Sequence, residues 1–153
     1  MSLTQLVYYS RNRAVAGTDC SHLDLLRTIL SASRRNNARD DVTGFLLFDR
    51  TWFFQVLEGE RPRVIPTYDR IQKDQRHGEV TLMSMRDVRR RSFPRWSMGG
   101  AMRSLEQQEI YLRHGVSGAL DPARIMAPGV VALAMDLQDF EIAQQGGALR
   151  PTG

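Results

Sequence analysis

Apolar residues fall along the chain in short bursts of two different spacings, and those spacings predict the elements. Leu6-Val7-Tyr8-Tyr9 is compact, aromatic and β-branched and runs into a polar loop with Gly17 and Thr18, which predicts a first strand. Ser21 with Asp24 three residues on resembles a capping box, and Leu23, Leu26 and Leu30 then recur at helical spacing, widened by Leu25 and Ile29. Arg34 and Arg35 suit the negative end of that helix's dipole, so helix one is expected over about residues 21–35. Val42–Phe48 and Trp52–Leu57, separated by Asp49-Arg50-Thr51, are too short for helices and rich in β-branched and aromatic residues; they predict a hairpin. Gly59 stops the second of these strands. Pro62 suits a first helical turn, and Val64, Tyr68 and Ile71 follow at i, i+4 and i+7, giving helix two over about residues 62–75. Pro66 is awkward there, because it lacks an N–H and crowds the carbonyl four residues back, so regular helix is expected to begin only near it.

Val80–Met83 starts a further strand, the basic stretch Arg86–Arg91 follows, and Trp96-Ser97-Met98 reads as another strand. The order βαββαββ predicts an α+β, ferredoxin-like sandwich: an antiparallel-rich sheet with both helices on one face. Beyond Gly100, Leu105–Arg113 and Val130–Ala143 read as two helices around the loop Gly115–Ala127. The tail Gly146–Gly153 is expected to be disordered.

Composition narrows the class. With 153 residues, 42% of them apolar and 25% charged, the chain suits one globular domain, and disorder as the default state is excluded. The one cysteine, Cys20, has no partner for an intramolecular disulfide, and one Cys with the scattered His22, His77 and His114 does not supply a four-ligand zinc site. A reducing, cytoplasmic location is expected. The longest apolar run, Val130–Met135, is far short of the roughly 20 residues that cross a bilayer. The N-terminus, without a basic flank or long apolar stretch, reads as a strand and not as a signal peptide.

Candidate chemistry is sparse. Phe53, Gln55 and Leu57 share one face of a strand by period 2, which puts one amide among apolar neighbours. Leaving that amide unpaired in a core would cost on the order of 1–3 kcal/mol. Gln55 therefore meets a polar partner, for which Tyr8 is a candidate, or else lies on the solvent face of an edge strand. Asn36 and Asn37 follow the helix-one stripe, where asparagine caps helix ends, although a pair of amides also suits the edge of a planar heterocycle. Arg70 and Asp74, four apart on helix two, read in isolation as a solvated ion pair worth about 0.3–0.5 kcal/mol. Trp96 and Met98, on one face of the last strand, read as core, and Arg89-Arg90-Arg91 reads as a solvated charge run that could also meet phosphate. No Walker loop, dinucleotide fingerprint or nucleophile elbow is present.

Taken together, Leu6-Val7-Tyr8-Tyr9-Ser10, Arg34-Arg35-Asn36-Asn37, Val42-Thr43-Gly44, Phe54-Gln55-Val56-Leu57-Glu58-Gly59 and Arg91-Ser92-Phe93-Pro94-Arg95-Trp96-Ser97-Met98 resemble the BLUF domain, a flavin-based sensor of blue light. The resemblance covers roughly residues 3–103, in the family's order and with similar intervals. It implies FAD or FMN held non-covalently between the two helices, with Ile29 and Ile71 flanking the ring. By the same matching, Tyr8 and Gln55 are the photochemical relay, Asn37 with neighbouring Asn36 binds the ring, and Arg70 and Asp74 take the helix-two polar positions. Trp96 and Met98 fall on the strand that carries the signal outward. In the family's mechanism the phenol gives an electron and a proton and recovers them, leaving Gln55 rotated or tautomerised and donating more strongly to the flavin C4 carbonyl, which shifts absorption slightly to the red. Pro66 and the second phenol, Tyr9, depart from expectation, the latter pointing to the opposite face by strand alternation.

The resulting expectation is a sensor over residues 1–103, a helical extension over 104–145 and a disordered tail over 146–153. About 50 residues beyond the sensor are too few for an ordinary catalytic domain, so a non-enzymatic receptor acting in trans on a downstream signalling protein is expected, as a homodimer or larger ring. The competing reading is a cofactor-free ferredoxin-like module binding RNA or protein, raised by the net charge of +4; the RNP aromatic pattern that RNA binding would need is missing. A phosphatase of the acylphosphatase kind would need a glycine-framed anion loop, which Arg11 and Arg13 lack.

Overall fold

The computed structural model describes residues 3–12, 22–49, 51–74, 77–95, 98–102 and 104–144, with the backbone alone at 22–26, 77 and 102. Strands β1 (Leu3–Asn12), β2 (Thr43–Phe48), β3 (Trp52–Glu60), β4 (His77–Val88) and β5 (Gly99–Met102) form one sheet in the order β4-β1-β3-β2-β5. β1 pairs antiparallel with both β3 and β4, and β2 and β3 form the expected hairpin. Only the β2–β5 pair is parallel among the described residues. Helices α1 (His22–Asp40) and α2 (Arg61–Gln72) connect β1 to β2 and β3 to β4, each crossover skipping one strand, which is the split βαβ arrangement the element order predicts.

Alternation along the central strands serves two cores. Leu6, Tyr8, Leu46, Phe48, Phe53 and Leu57 pack with Ile29 and Leu30 of α1 and Val64 and Tyr68 of α2. Val7, Phe45, Leu47, Phe54 and Val56 point the other way and pack under α3 (Gln108–Arg113) and α4 (Ala127–Gln144), through Ile110, Tyr111, Val130, Leu133 and Leu137. Both faces are covered, which is why the strands read as nearly continuous apolar runs. Tyr9 joins the second core, its ring edge-on to Trp52 at 5.6 Å, as alternation requires.

Several boundaries differ from the expectation, among them that of β3, which runs through Gly59 to Glu60 instead of stopping at that glycine. Helix α1 does not stop at Arg35; it runs to Asp40, so Asn36 and Asn37 lie inside its last turns instead of capping it. The stop is a Schellman arrangement around Asp41, at φ 54°, with Val42 N–H donating to the Asn37 carbonyl at 2.9 Å and Asp41 N–H to that of Ala38 at 3.4 Å. Helix α2 begins at Arg61, ahead of Pro66, because Pro62 occupies the first turn and the one hydrogen bond lost at Pro66 is outweighed by burial of Val64, Thr67 and Tyr68. It ends at Gln72, so Asp74 lies just beyond the helix and not on it. Strand β4 extends to Val88 and takes in Arg86, so the basic stretch is partly strand. The last strand begins at Gly99: Met98 precedes it, and Trp96 lies outside the described residues, as does the tail 146–153.

Candidate functional site

The chemistry of the α1/α2 face starts from register. Tyr8 and Gln55 are directly opposite on β1 and β3, so alternation sends both side chains to the same face, within reach of each other. The register of β1 against β4 slips between Val7 and Tyr8, an irregularity typical of functional positions. Gln55 is buried on a central strand, which removes the alternative of a solvent-facing edge position. The Tyr8 hydroxyl donates to Gln55 Oε1, and Gln55 Nε2 donates to the Met98 sulfur at 3.2 Å. This amide orientation is the one the donor inventory favours: reversed, the Gln55 carbonyl would face a thioether that has no proton to give. Burial pushes the Tyr8 phenol well above its ordinary pKa, with Tyr68 and Asp74 adding to the effect, so Tyr8 is a neutral O–H donor.

A cleft between α1 and α2 opens onto this chain. Its apolar walls include Ile29, Leu46 and Ile71, and its polar groups are Ser33, Asn36, Asn37, Gln55, Thr67, Arg70 and Asp74. Seven of the ten residues singled out from the sequence therefore line one cleft, and Tyr8 and Met98 adjoin it through Gln55; Trp96 is the exception, outside the described residues. Asn37 is buried, and the Schellman turn that takes its carbonyl fixes its backbone at the cleft. Arg70 does not pair with Asp74 as an i,i+4 bridge; its Nη2 contacts Asp40 at the end of α1 at 3.1 Å, tying the two helices together beside the cleft. Asp40 was missed because nothing in the sequence signals an ion pair between residues 30 apart. Ser33 and Thr67 were missed for a similar reason, since hydroxyls on amphipathic helices carry no pattern of their own.

Gly44 has a steric role here. A Cβ at that position would lie 2.0 Å from the Val56 carbonyl oxygen and 3.1 Å from the Met98 Cε, so only glycine lets β2 approach β3 closely while Met98 sits against Gln55. Arg34 Nε donates to the Met98 carbonyl at 2.8 Å and fixes the same residue from α1.

The donor set fits a flavin. Aliphatic side chains suit the faces of a planar ring system, and amides that donate and accept suit its edge, where carbonyls and N–H groups alternate. The Gln55 N–H now rests on sulfur, a weak acceptor, which leaves a buried donor ready for a better one. The cleft is open to solvent and encloses about 60 Å³ between the two helices.

Comparison with known proteins agrees with this site. Residues 3–99 match the family described as "Sensors of blue-light using FAD". The chain is 38% identical over 101 residues, 65% of its length, to the photoactivated adenylate cyclase subunit beta of Euglena gracilis. Over 78 residues, 51% of its length, it is 39% identical to the blue light- and temperature-regulated antirepressor BluF of Escherichia coli strain K12. It spans only 11% and 18% of those two proteins. Among solved structures it is similar to BlrB, a BLUF protein in its dark state, with a TM-score of 0.72 and 27% identity over 92% of this chain and 97% of that one. It is also similar to the photo-activated state of BlsA, with a TM-score of 0.74 and 28% identity over 88% and 94%. With a match across nearly two thirds of its residues and a paired phenol and amide at the cleft, the chain belongs to the BLUF family of flavin-using blue-light sensors.

Proposed function

We propose that Tyr8 and Gln55 are the photochemical relay of this sensor and that the cleft between α1 and α2 holds its flavin. The observation that supports this most directly is the buried chain Tyr8–Gln55–Met98, a phenol proton in contact with an amide that can reverse its donor and acceptor ends. Bound flavin, FAD or FMN, supplies the blue absorption and the electron acceptor. Ile29 and Ile71 flank the ring, Asn36, Asn37, Arg70 and Asp74 hold its polar edge or chain, and the neutral Tyr8 hydroxyl keeps a transferable proton on the Gln55 oxygen. Turning the amide, by rotation or tautomerisation, withdraws the N–H from the Met98 sulfur and leaves Met98 free to move; Trp96 shares that output role.

The receptor acts in trans on a signalling protein, with α3 and α4 as the helical extension of a sensor unit over residues 1–103, and itself catalyses no reaction. It works as a homodimer or ring in the cytoplasm. No helix among the described residues is long and apolar enough to cross a membrane. An absorption spectrum before and after blue light tests this reading. A flavin band that moves slightly to the red and returns in darkness is the expected result; bound flavin without any shift would remove Tyr8 and Gln55 from the relay, and failure to take up FAD or FMN would remove the cleft.

A further inference from the structure

The segment joining β4 to β5 belongs to both cores. Phe93 packs on the α3/α4 side, stacked on Phe45 at 5.8 Å, whereas Met98, five residues later, packs on the α1/α2 side against Gln55. Phe93 and Met98, with four residues between them, are thus held on opposite faces of the sheet, so displacement of Met98 bears on a segment whose other end is held elsewhere.

What holds that end is Glu58. It lies three residues after Gln55 on β3, hence on the opposite face, and it is fully buried. Its Oε1 accepts the Phe93 backbone N–H at 2.8 Å, and its Oε2 accepts the Ser92 N–H at 3.0 Å and Gln5 Nε2 at 2.8 Å. Arg86 Nε steadies Gln5 from β4 at 3.2 Å, and Arg91 Nη2 reaches the Asp41 carbonyl at 2.9 Å. Hydrogen bonds to an ionised carboxylate are the strong ones, so this is a firm anchor. Gln138 of α4 contacts the same point: its Nε2 donates to the Ser92 carbonyl at 3.3 Å, while its Oε1 is buried without a hydrogen-bond partner among the described residues. A buried acceptor left unpaired makes this arrangement costly.

We infer that Glu58 is the positioning residue that couples the light-sensing face to α4, holding Ser92 and Phe93 so that movement of Met98 reaches Gln138 instead of being absorbed by a loose linker. The inference rests on the proposed relay. Glu58 touches neither the cleft nor Tyr8 or Gln55, so its role lies in transmission alone.

The test reads two things on one flavin-loaded full-length sample, the light-induced red shift and light-minus-dark hydrogen exchange of residues 91–95 and 127–144. In the wild type both are expected. In Glu58→Gln one carboxylate oxygen becomes an NH₂ that faces a backbone N–H, so the anchor opens; the red shift stays at wild-type size and the exchange difference in α4 is lost. Gln138→Ala, which leaves the anchor intact and removes only the α4 contact, is expected to lose the α4 difference while keeping the difference at residues 91–95. An unaltered α4 response in either variant overturns the coupling, as does a wild-type red shift with no change in α4. Loss of the red shift in a folded Glu58→Gln protein places Glu58 in the photochemistry and overturns a purely transmitting role. A wild type with bound flavin and no red shift overturns the relay itself, and is told apart because the spectrum is read first.

Discussion

At the scale of single residues, the proposed relay depends on one proton and one amide. Burial holds the Tyr8 phenol protonated well beyond its ordinary value of 10.0. A folded pKa raised above the unfolded one means stability is intact below about pH 10 and falls as pH rises from there toward the folded value, because the unfolded chain gives up the proton first. The red shift should accordingly keep a constant size from neutral pH to about 9, and unfolding by alkali should begin above about 10; a red shift that titrates away near neutrality would mean another group controls the relay. Tyr8→Phe removes the proton and nearly nothing else, so flavin should stay bound while the red shift disappears. Gln55→Leu should do the same, read by the same spectra. Tyr8 and Gln55 were legible through the motifs that carry the family resemblance, whereas strand alternation alone left Gln55 open between a buried pairing and a solvent-facing edge. Met98 was named by the same resemblance, but its packing against Gln55 was not legible, because it precedes β5 and no strand period fixes its orientation.

At the scale of elements, the errors gather where a tertiary contact decides a boundary. The paired asparagines and the basic Arg34-Arg35 imitate a helix end, yet α1 gains one more turn because Asp41 accepts a left-handed backbone and Val42 closes the motif. That extra turn puts Asn37 at the cleft and Asp40 against Arg70. The Asp40–Arg70 bridge is partly exposed and worth about 1 kcal/mol, so Asp40→Ala should leave Tm nearly unchanged but speed flavin exchange about two- to five-fold, measured by stopped-flow fluorescence. An unchanged exchange rate would show that the helices separate elsewhere. Pro66 remains a defect in α2 that nothing in the site requires. Replacing it by alanine restores a helical hydrogen bond worth about 3 kcal/mol and forfeits about 0.4–1 kcal/mol of unfolded-state restriction, for a net gain of roughly 2 kcal/mol, visible as a higher Tm.

At the scale of the whole molecule, the sheet is a shared wall, with α1 and α2 packed on one face and α3 and α4, beyond residue 103, on the other. Element order predicted a sheet with two helices on one face, and Leu105–Arg113 and Val130–Ala143 read as two further helices; the structure packs those helices on the other face. Ile110, Tyr111, Leu120, Val130, Leu133 and Leu137 lie buried against Phe45, Leu47, Phe54 and Val56. At about 1.5–3 kcal/mol for each large apolar side chain, the contact is on the order of 10 kcal/mol, comparable to the roughly 5–15 kcal/mol that holds a typical domain folded. Ending the chain at Arg103 should therefore leave the sensor insoluble or unable to unfold cooperatively in urea, even though every cleft residue is still present. A soluble truncated chain with a sharp transition and a full red shift would show the α3/α4 cover to be dispensable for folding. The same dependence bears on signalling, since a cover the sheet cannot lose is one that must shift while staying packed. A route that moves one linker peptide against α4 meets that condition, because it changes a hydrogen bond at Gln138 and leaves the apolar contacts beneath it in place.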